Sequence, residues 1–139
     1  MTRREAILAR LTDTLATALG PRVRRNEALP ETVPPAGLVI VRDGDPGEPD
    51  VTLNPRTEFY SHRLEIEVYL TRASDGSGEA ALDALVDEVA AALCADPSVG
   101  GLAENLLVSA PQVGVLAIEG AAPVLTARLT VMVEYLLAF

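Results

Sequence analysis

Cysteine occurs once in this chain of 139 residues, histidine once, and lysine not at all. The lone Cys94 excludes an internal disulfide and any zinc site built on several cysteines. The lone His62 leaves nucleophile–base chemistry a single imidazole to draw on. No apolar run approaches the ~20 residues that a transmembrane helix needs. The opening Met-Thr-Arg-Arg-Glu, followed by Asp13, is not the apolar stretch of a signal peptide. The expected setting is a cytosol, with no membrane partner. The phosphate-loop, dinucleotide and nucleophile-elbow patterns are missing, so the mechanisms they carry lack support. There is no internal repeat and no low-complexity tract. The arginine-only cations, beside much Ala, Leu and Val, point to GC-rich coding rather than to a function.

The apolar fraction is 49% and the charged fraction 22%, inside the globular range. The length suits one domain spanning residues 1–139, large enough for a core without staples. Net charge is −9 and unevenly spread. Residues 1–25 hold six arginines against Glu5 and Asp13, while the remainder holds five arginines against 18 acids. An acidic body argues against a general nucleic-acid binder, which needs clustered positive charge. It is compatible with a channel that DNA slides through, where a negative wall avoids sticking.

Thr2 and Glu5 have capping-box spacing, and Ile7, Leu8, Leu11, Leu15, Ala18 and Leu19 form one apolar stripe, so a helix is expected up to Gly20-Pro21. Arg3 and Arg10 edge that stripe. Residues 21–36 read as irregular, with Pro30, Pro34 and Pro35 forbidding regular helix. Residues 37–42 read as a short buried strand, residues 43–50 as a turn-rich loop, and residues 51–53 as a short returning strand. Residues 58–72 give the clearest strand. Tyr60, His62, Leu64, Ile66, Val68 and Leu70 face a core, and a charged set that includes Arg63, Glu65 and Glu67 faces water or a polar channel. Its length suggests a strand running beyond the compact core.

A turn over residues 74–78 supplies Ser77 as N-cap for a second helix over residues 79–95. Leu82, Leu85, Val86, Val89 and Leu93 form the inner stripe of that helix. Its back is Ala80, Ala84, Ala91 and Ala95 with Asp87 and Glu88, small enough for close approach but equally explained by helix propensity. Residues 106–115 read as a strand kinked at Pro111. Residues 119–123 are a loop, and residues 124–137 a cleanly alternating strand. The order α-β-β-β-α-β-β predicts an α+β fold: a mostly antiparallel sheet with two helices packed on one face.

Chemistry is sparse. His62 lies mid-strand on the apolar face, where a satisfied structural histidine is the plain reading. Cys94 falls near a helix C-terminus, whose negative end does not activate a thiol. Asp43, Asp45, Glu48 and Asp50 place four carboxylates in eight residues. That suits a hard cation such as calcium, but outside the EF-hand register, and a solvated acidic turn is the simpler account. Glu65 and Glu67 share a strand face with Arg63, and Arg128 is placed to meet them across the sheet, which favours a charged surface over acid–base work. No catalytic residue, metal or cofactor is expected.

Four stretches carry a resemblance: Arg25-Asn-Glu-Ala-Leu-Pro30, Arg42-Asp-Gly-Asp-Pro-Gly-Glu-Pro49, Tyr60-Ser-His62 with Glu65-Ile-Glu-Val68, and Gly120-Ala-Ala-Pro123. With the order of elements, they resemble the tail terminators of long-tailed phages, which include the minor tail protein U family. They are most similar to the terminator-like proteins of alphaproteobacterial gene transfer agents, and the match spans nearly the whole chain. The resemblance implies a structural virion protein assembled in a bacterial host cytoplasm. As a hexameric ring at the neck-proximal end of the tail, it would cap the tail tube and stop its growth. Its partners would be further copies of itself, the major tail tube protein and the head–tail connector or stopper protein, with DNA only as passing cargo.

A ring of identical subunits uses head-to-tail contacts between unlike patches, for which the basic first quarter and acidic remainder are suited. The candidate subunit or ring contacts are Arg24, Arg25, Asp43, Asp45, Glu48 and Asp50. The candidate lumen residues are Glu65 and Glu67. The alternatives are another neck or tail-completion (head-closure) protein of the same particle, a small acyl-transfer enzyme, and an adaptor unrelated to phage. Genes of this kind sometimes carry an acyl-CoA transferase name, which no residue here supports.

Overall fold

Thr2 opens the first helix, α1 (Arg3–Leu19), by accepting a hydrogen bond from the Glu5 backbone N–H at 3.1 Å. The stripe Ile7, Leu8, Leu11, Leu15 and Leu19 is buried as its spacing demands. Gly20, at φ 77°, ends the helix, and a 3-10 turn (Gly20–Arg22) follows. The computed structural model describes residues 1–28, 32–73, 76–117 and 120–139. The sequence expectations at Pro30, at Ser74 and Asp75 of the turn before the second helix, and at Glu119 lie outside those residues.

Among the described residues, the seven strands are β1 (Val23–Arg25), β2 (Leu38–Asp45), β3 (Asp50–Thr52), β4 (Thr57–Thr71), β5 (Asn105–Val108), β6 (Gln112–Leu116) and β7 (Val124–Ala138); the second helix is α2 (Gly78–Cys94). The sheet runs β1-β2-β4-β7-β5, with β3 added to β4 and β6 added to β7. Only β1 and β2 are parallel, so the sheet is mostly antiparallel. Both helices lie on one face. Leu64, Ile66 and Val68 of β4 and Leu129, Val131 and Val133 of β7 form one buried cluster with the apolar stripes of α1 and α2. The α+β expectation holds.

Local expectations needed correction in three places. Residues 21–36 are not wholly irregular, because β1 pairs in parallel with β2. Three residues are too few to display a period, and only Val23 points into the core. The strand expected to stop at Arg42 continues to Asp45, so the loop is shorter than expected. It continues through a bulge, where the register changes between Arg42 opposite Glu65 and Asp45 opposite Arg63. The single strand expected over residues 106–115 is two. Val108 faces Val131 but Gln112 faces Arg128, so four steps on one side oppose three on the other. That slip reverses which residues face the helices: Leu106 and Val108 in β5, Val113 and Val115 in β6.

Burial explains the unbroken apolar run of β2. Val39 and Val41 join the helix-side core, while Leu38 and Ile40 pack on the other face with Val33, Val124 and Tyr69. Length explains the rest of the shape. A 15-residue ladder of β4 and β7 extends about 50 Å, whereas the 17-residue helices extend about 25 Å. One end of the ladder therefore projects past the helices, and Tyr60 stacked on Tyr135 at 5.2 Å marks the limit of the core.

Gly44 makes the bulge feasible. Its φ is +68°, and a Cβ there would lie 2.0 Å from the Arg63 carbonyl oxygen. Gly47 has a similar φ of +69° with open space around it. Gly47→Ala should therefore cost only the left-handed strain, about 1–2 kcal/mol, and Gly44→Ala distinctly more. Urea midpoints of the two variants check this; equal losses would mean that the close approach to β4 is unimportant.

Candidate interaction surfaces

Among the described residues, Arg25 is the most heavily used cation. Its Nη1 and Nη2 donate to the two carboxylate oxygens of Glu5 at 2.8 and 2.7 Å. Its Nε and Nη2 donate to Asp43 at 2.8 and 2.9 Å. One guanidinium thus ties α1, β1 and β2 together through bidentate contacts. The Arg25 hydrogen bonds hold both carboxyls below their ordinary range, against the opposing pull of partial burial. The two acids in turn push the guanidinium further into its charged form.

Asp43 is joined from two more directions. Its backbone N–H donates to Asn26 Oδ1 at 3.0 Å, and its carbonyl oxygen meets His62 Nε2 at 2.5 Å. Facing a carbonyl, that nitrogen is the donor. His62 is 2% exposed, so the only imidazole fastens β4 to the bulge of β2, as the plain reading of a satisfied strand histidine expects. Three of the stretches that carry the family resemblance, those holding Arg25, Asp43 and His62, meet at this one point.

The proposed contact residues divide accordingly. Arg25 and Asp43 are engaged with each other and with Glu5. Arg24 lies 3.4 Å from Glu27, a half-exposed pair of small worth. Asp45 accepts from the Gly47 N–H at 2.8 Å and is otherwise outward, and Glu48 and Asp50 are exposed. Among the described residues, no group of three His, Cys, Asp or Glu side chains is arranged to hold a metal ion.

Other arginines of the first quarter also serve the fold. Arg22 bridges to Glu88 of α2 at 3.3 Å. Arg3 donates to the Leu102 carbonyl at 3.0 Å, and Arg10 lies against Gly100. The charge asymmetry of the sequence is thus largely spent on tertiary contacts.

The sheet face away from the helices carries Glu65 and Glu67, as their alternation predicts. Glu67 meets Arg42 at 3.1 Å and accepts from the Tyr69 hydroxyl at 3.0 Å. Glu65 lies 3.6 Å from Arg128, the cross-sheet partner expected from sequence. Burial, with that bond to Glu67, pushes the Tyr69 phenol up. This face alternates in sign across neighbouring strands and is not a negative wall.

Cys94 is free and exposed. The small residues Ala80, Ala84 and Ala91 of α2, and Ala95 at its C-cap, are exposed too. Among the described residues, no helix is long and apolar enough to cross a membrane.

Sequence reasoning missed a groove of about 430 Å³ between α2 and β6, floored by Leu82, Val86 and Leu125 and walled by Val113 and Val115. The two valines are 72% and 54% exposed although they face the helix side. The readable signal was the Ser-Ala-Pro run at 109–111, which permits the register slip that puts them there.

The fold is α+β, and its polar clusters tie segments of the chain together. No family model and no curated protein matches this chain. Among solved structures, it is similar to a chain from the virion of a native gene transfer agent particle. That similarity has 17% sequence identity and a TM-score of 0.44, and it covers 95% of this chain and 92% of the other.

The Arg25 cluster predicts an acid limb in stability. Both carboxyls titrate below their unfolded values of about 3.9 for Asp and 4.3 for Glu, so the stabilisation is complete above those values and drains as pH falls through the lower folded ones. Arg25→Met should lower the urea midpoint at neutral pH, and its deficit should shrink as pH falls below about 4. A deficit independent of pH would show that lost packing, not charge, is responsible.

Proposed function

We propose that this chain is a structural subunit of a phage-type tail or gene transfer agent: a terminator that caps the tail tube as a ring, six subunits in the resembled family. It stops tube growth and offers its other face to the head–tail connector. The observation that carries the reading is the convergence at Asp43. Four residues from three of the four stretches quoted for the family resemblance, dispersed in sequence, form one knot of Arg25, Asn26, Asp43 and His62 at the β2 bulge. Such a knot is a determinant of fold, which is what a structural family would keep.

Surface chemistry agrees with an assembling subunit. Arg24, Asp45, Glu48 and Asp50 remain available as subunit or ring contacts, while Arg25 and Asp43 act from within by holding the bulge. Glu65 and Glu67 belong to the lumen in this reading. Their pairing with Arg42 and Arg128 gives DNA a mixed wall with little net attraction, which suits passing cargo. The partners are further copies of the chain, the tail tube protein and the connector, at the neck-proximal end of the particle.

Removing the gene from a particle-producing strain should yield overlong tails and unjoined heads under the electron microscope, both restored by the wild-type chain. Normal tails joined to heads without it would end the proposal. Arg24→Glu should leave the thermal melt within a few degrees of wild type while weakening ring formation in sedimentation. An unchanged sedimentation profile would remove Arg24 from the contacts.

A further inference from the structure

Two exposed apolar features of the described residues lie at opposite corners of the sheet. One is the groove between α2 and β6. Leu82, Val86 and Leu125 floor it; on its rim Arg72 is paired with Glu79 at 2.7 Å, and Asp83 has no ion pair among the described residues. The residues of α2 include four acids and no cation. The outer wall, β6, pairs only with β7, so its other edge presents unpaired N–H and C=O groups among the described residues. No charge, proline or further bulge blunts Gln112–Leu116, the devices by which sheet edges are usually protected.

The other feature is the projecting end of the ladder, where β3 turns into β4. Val51 and Leu53 are 48% and 75% exposed. Arg56 stands 5.3 Å over the Phe139 ring and 2.9 Å from Glu58. Its side chain is 57% exposed against 12% for Glu58, so the tip presents its cation outward and keeps the counter-charge behind.

Tip and groove are complementary in both respects that matter. Each is apolar, and the cation of one is matched by Asp83, the rim acid that Arg72 does not neutralise. They cannot meet within one copy. The tip lies level with Leu137 and the groove with Ala127, ten residues apart along β7. That is roughly 33 Å of strand. They also lie on opposite edges, since β3 adds to the β2 side of β4 while β6 adds to the far side of β7.

We infer that the β3–β4 tip of one copy docks into the α2–β6 groove of the next, with Val51 and Leu53 inserted and Arg56 against Asp83. This is a heterologous contact, which closes into a ring or continues as a filament. It deepens the ring reading above and rests on it only for closure. The groove takes the neighbouring tip beside an edge strand open to further pairing.

The test uses the full chain. Wild type should sediment as an oligomer, and Leu53→Asp or Val115→Asp should each weaken association by roughly tenfold or more. In a Cys94→Ser background, mixing a Leu53→Cys chain with a Val115→Cys chain should give a mixed disulfide dimer in excess of either homodimer. Arg56→Glu should weaken association, and Arg56→Glu with Asp83→Arg should restore it, which a merely unfolded variant would not do.

A monomeric wild type at every concentration would overturn the inference, including the case in which groove variants lose binding to tail tubes or connectors. So would an oligomer indifferent to both aspartates and without the mixed disulfide; the terminator reading would survive that result if gene removal still gave overlong tails. Conversely, a confirmed tip–groove contact with normal tails in the deletion strain would support this contact while removing the terminator reading.

Discussion

The antiparallel ladder between β4 and β7 is the constraint on which the other elements depend. All fifteen residues of each strand are paired, from Thr57 opposite Ala138 to Thr71 opposite Val124. Every other element is placed by its relation to that ribbon. β2 and β3 occupy its one edge in turn, β5 and β6 its other, and the helices cover only the stretch where both strands present Leu, Ile and Val inward. The mismatch between a strand rise of about 3.3 Å and a helix rise of about 1.5 Å leaves part of the ribbon uncovered. The projecting tip is a consequence of that arithmetic, not a separate invention of the sequence.

Each edge is managed by a slip in register. On the β2 side, the bulge at Gly44 draws the chain close to Arg63 and brings Asp43 to Arg25 and His62. On the β7 side, the break at residues 109–111 turns Val113 and Val115 toward a flank of α2 that does not reach far enough to cover them. One slip is closed by a polar knot, and the other leaves an apolar groove open. That difference separates the cluster that ties the fold together from the apolar surface left exposed.

Electrostatics follows the same division. Arginine-only composition suits the interior bonds, since the guanidinium of Arg25 can serve Glu5 and Asp43 at once in a way that an ammonium cannot. The cations of the first quarter are mostly engaged in such bonds, so the linear charge asymmetry overstates the basic surface that the folded chain presents. The acids of α2 are less engaged: Glu88 is paired to Arg22 and Glu79 to Arg72, while Asp83 and Asp87 have no ion pair among the described residues.

What the sequence determined by itself is the set of elements whose periodicity extends over several turns or pairs. The stripe of α1 from Ile7 to Leu19, that of α2 from Leu82 to Leu93, and the alternation in β4 and β7 were legible because each repeats its burial many times. The satisfied role of His62 and the meeting of Glu65 with Arg128 followed from the same alternation. Tertiary structure alone decided the features that depend on one residue more or less: the short β1, the extension of β2 through Gly44, and the reversal of faces between β5 and β6. A single inserted residue leaves almost no trace in composition, yet with a side-chain period of two it exchanges inside for outside. For that reason the contact residues named from charge alone divided into an internal knot and an exposed remainder, and the groove became visible only once the strands were in register.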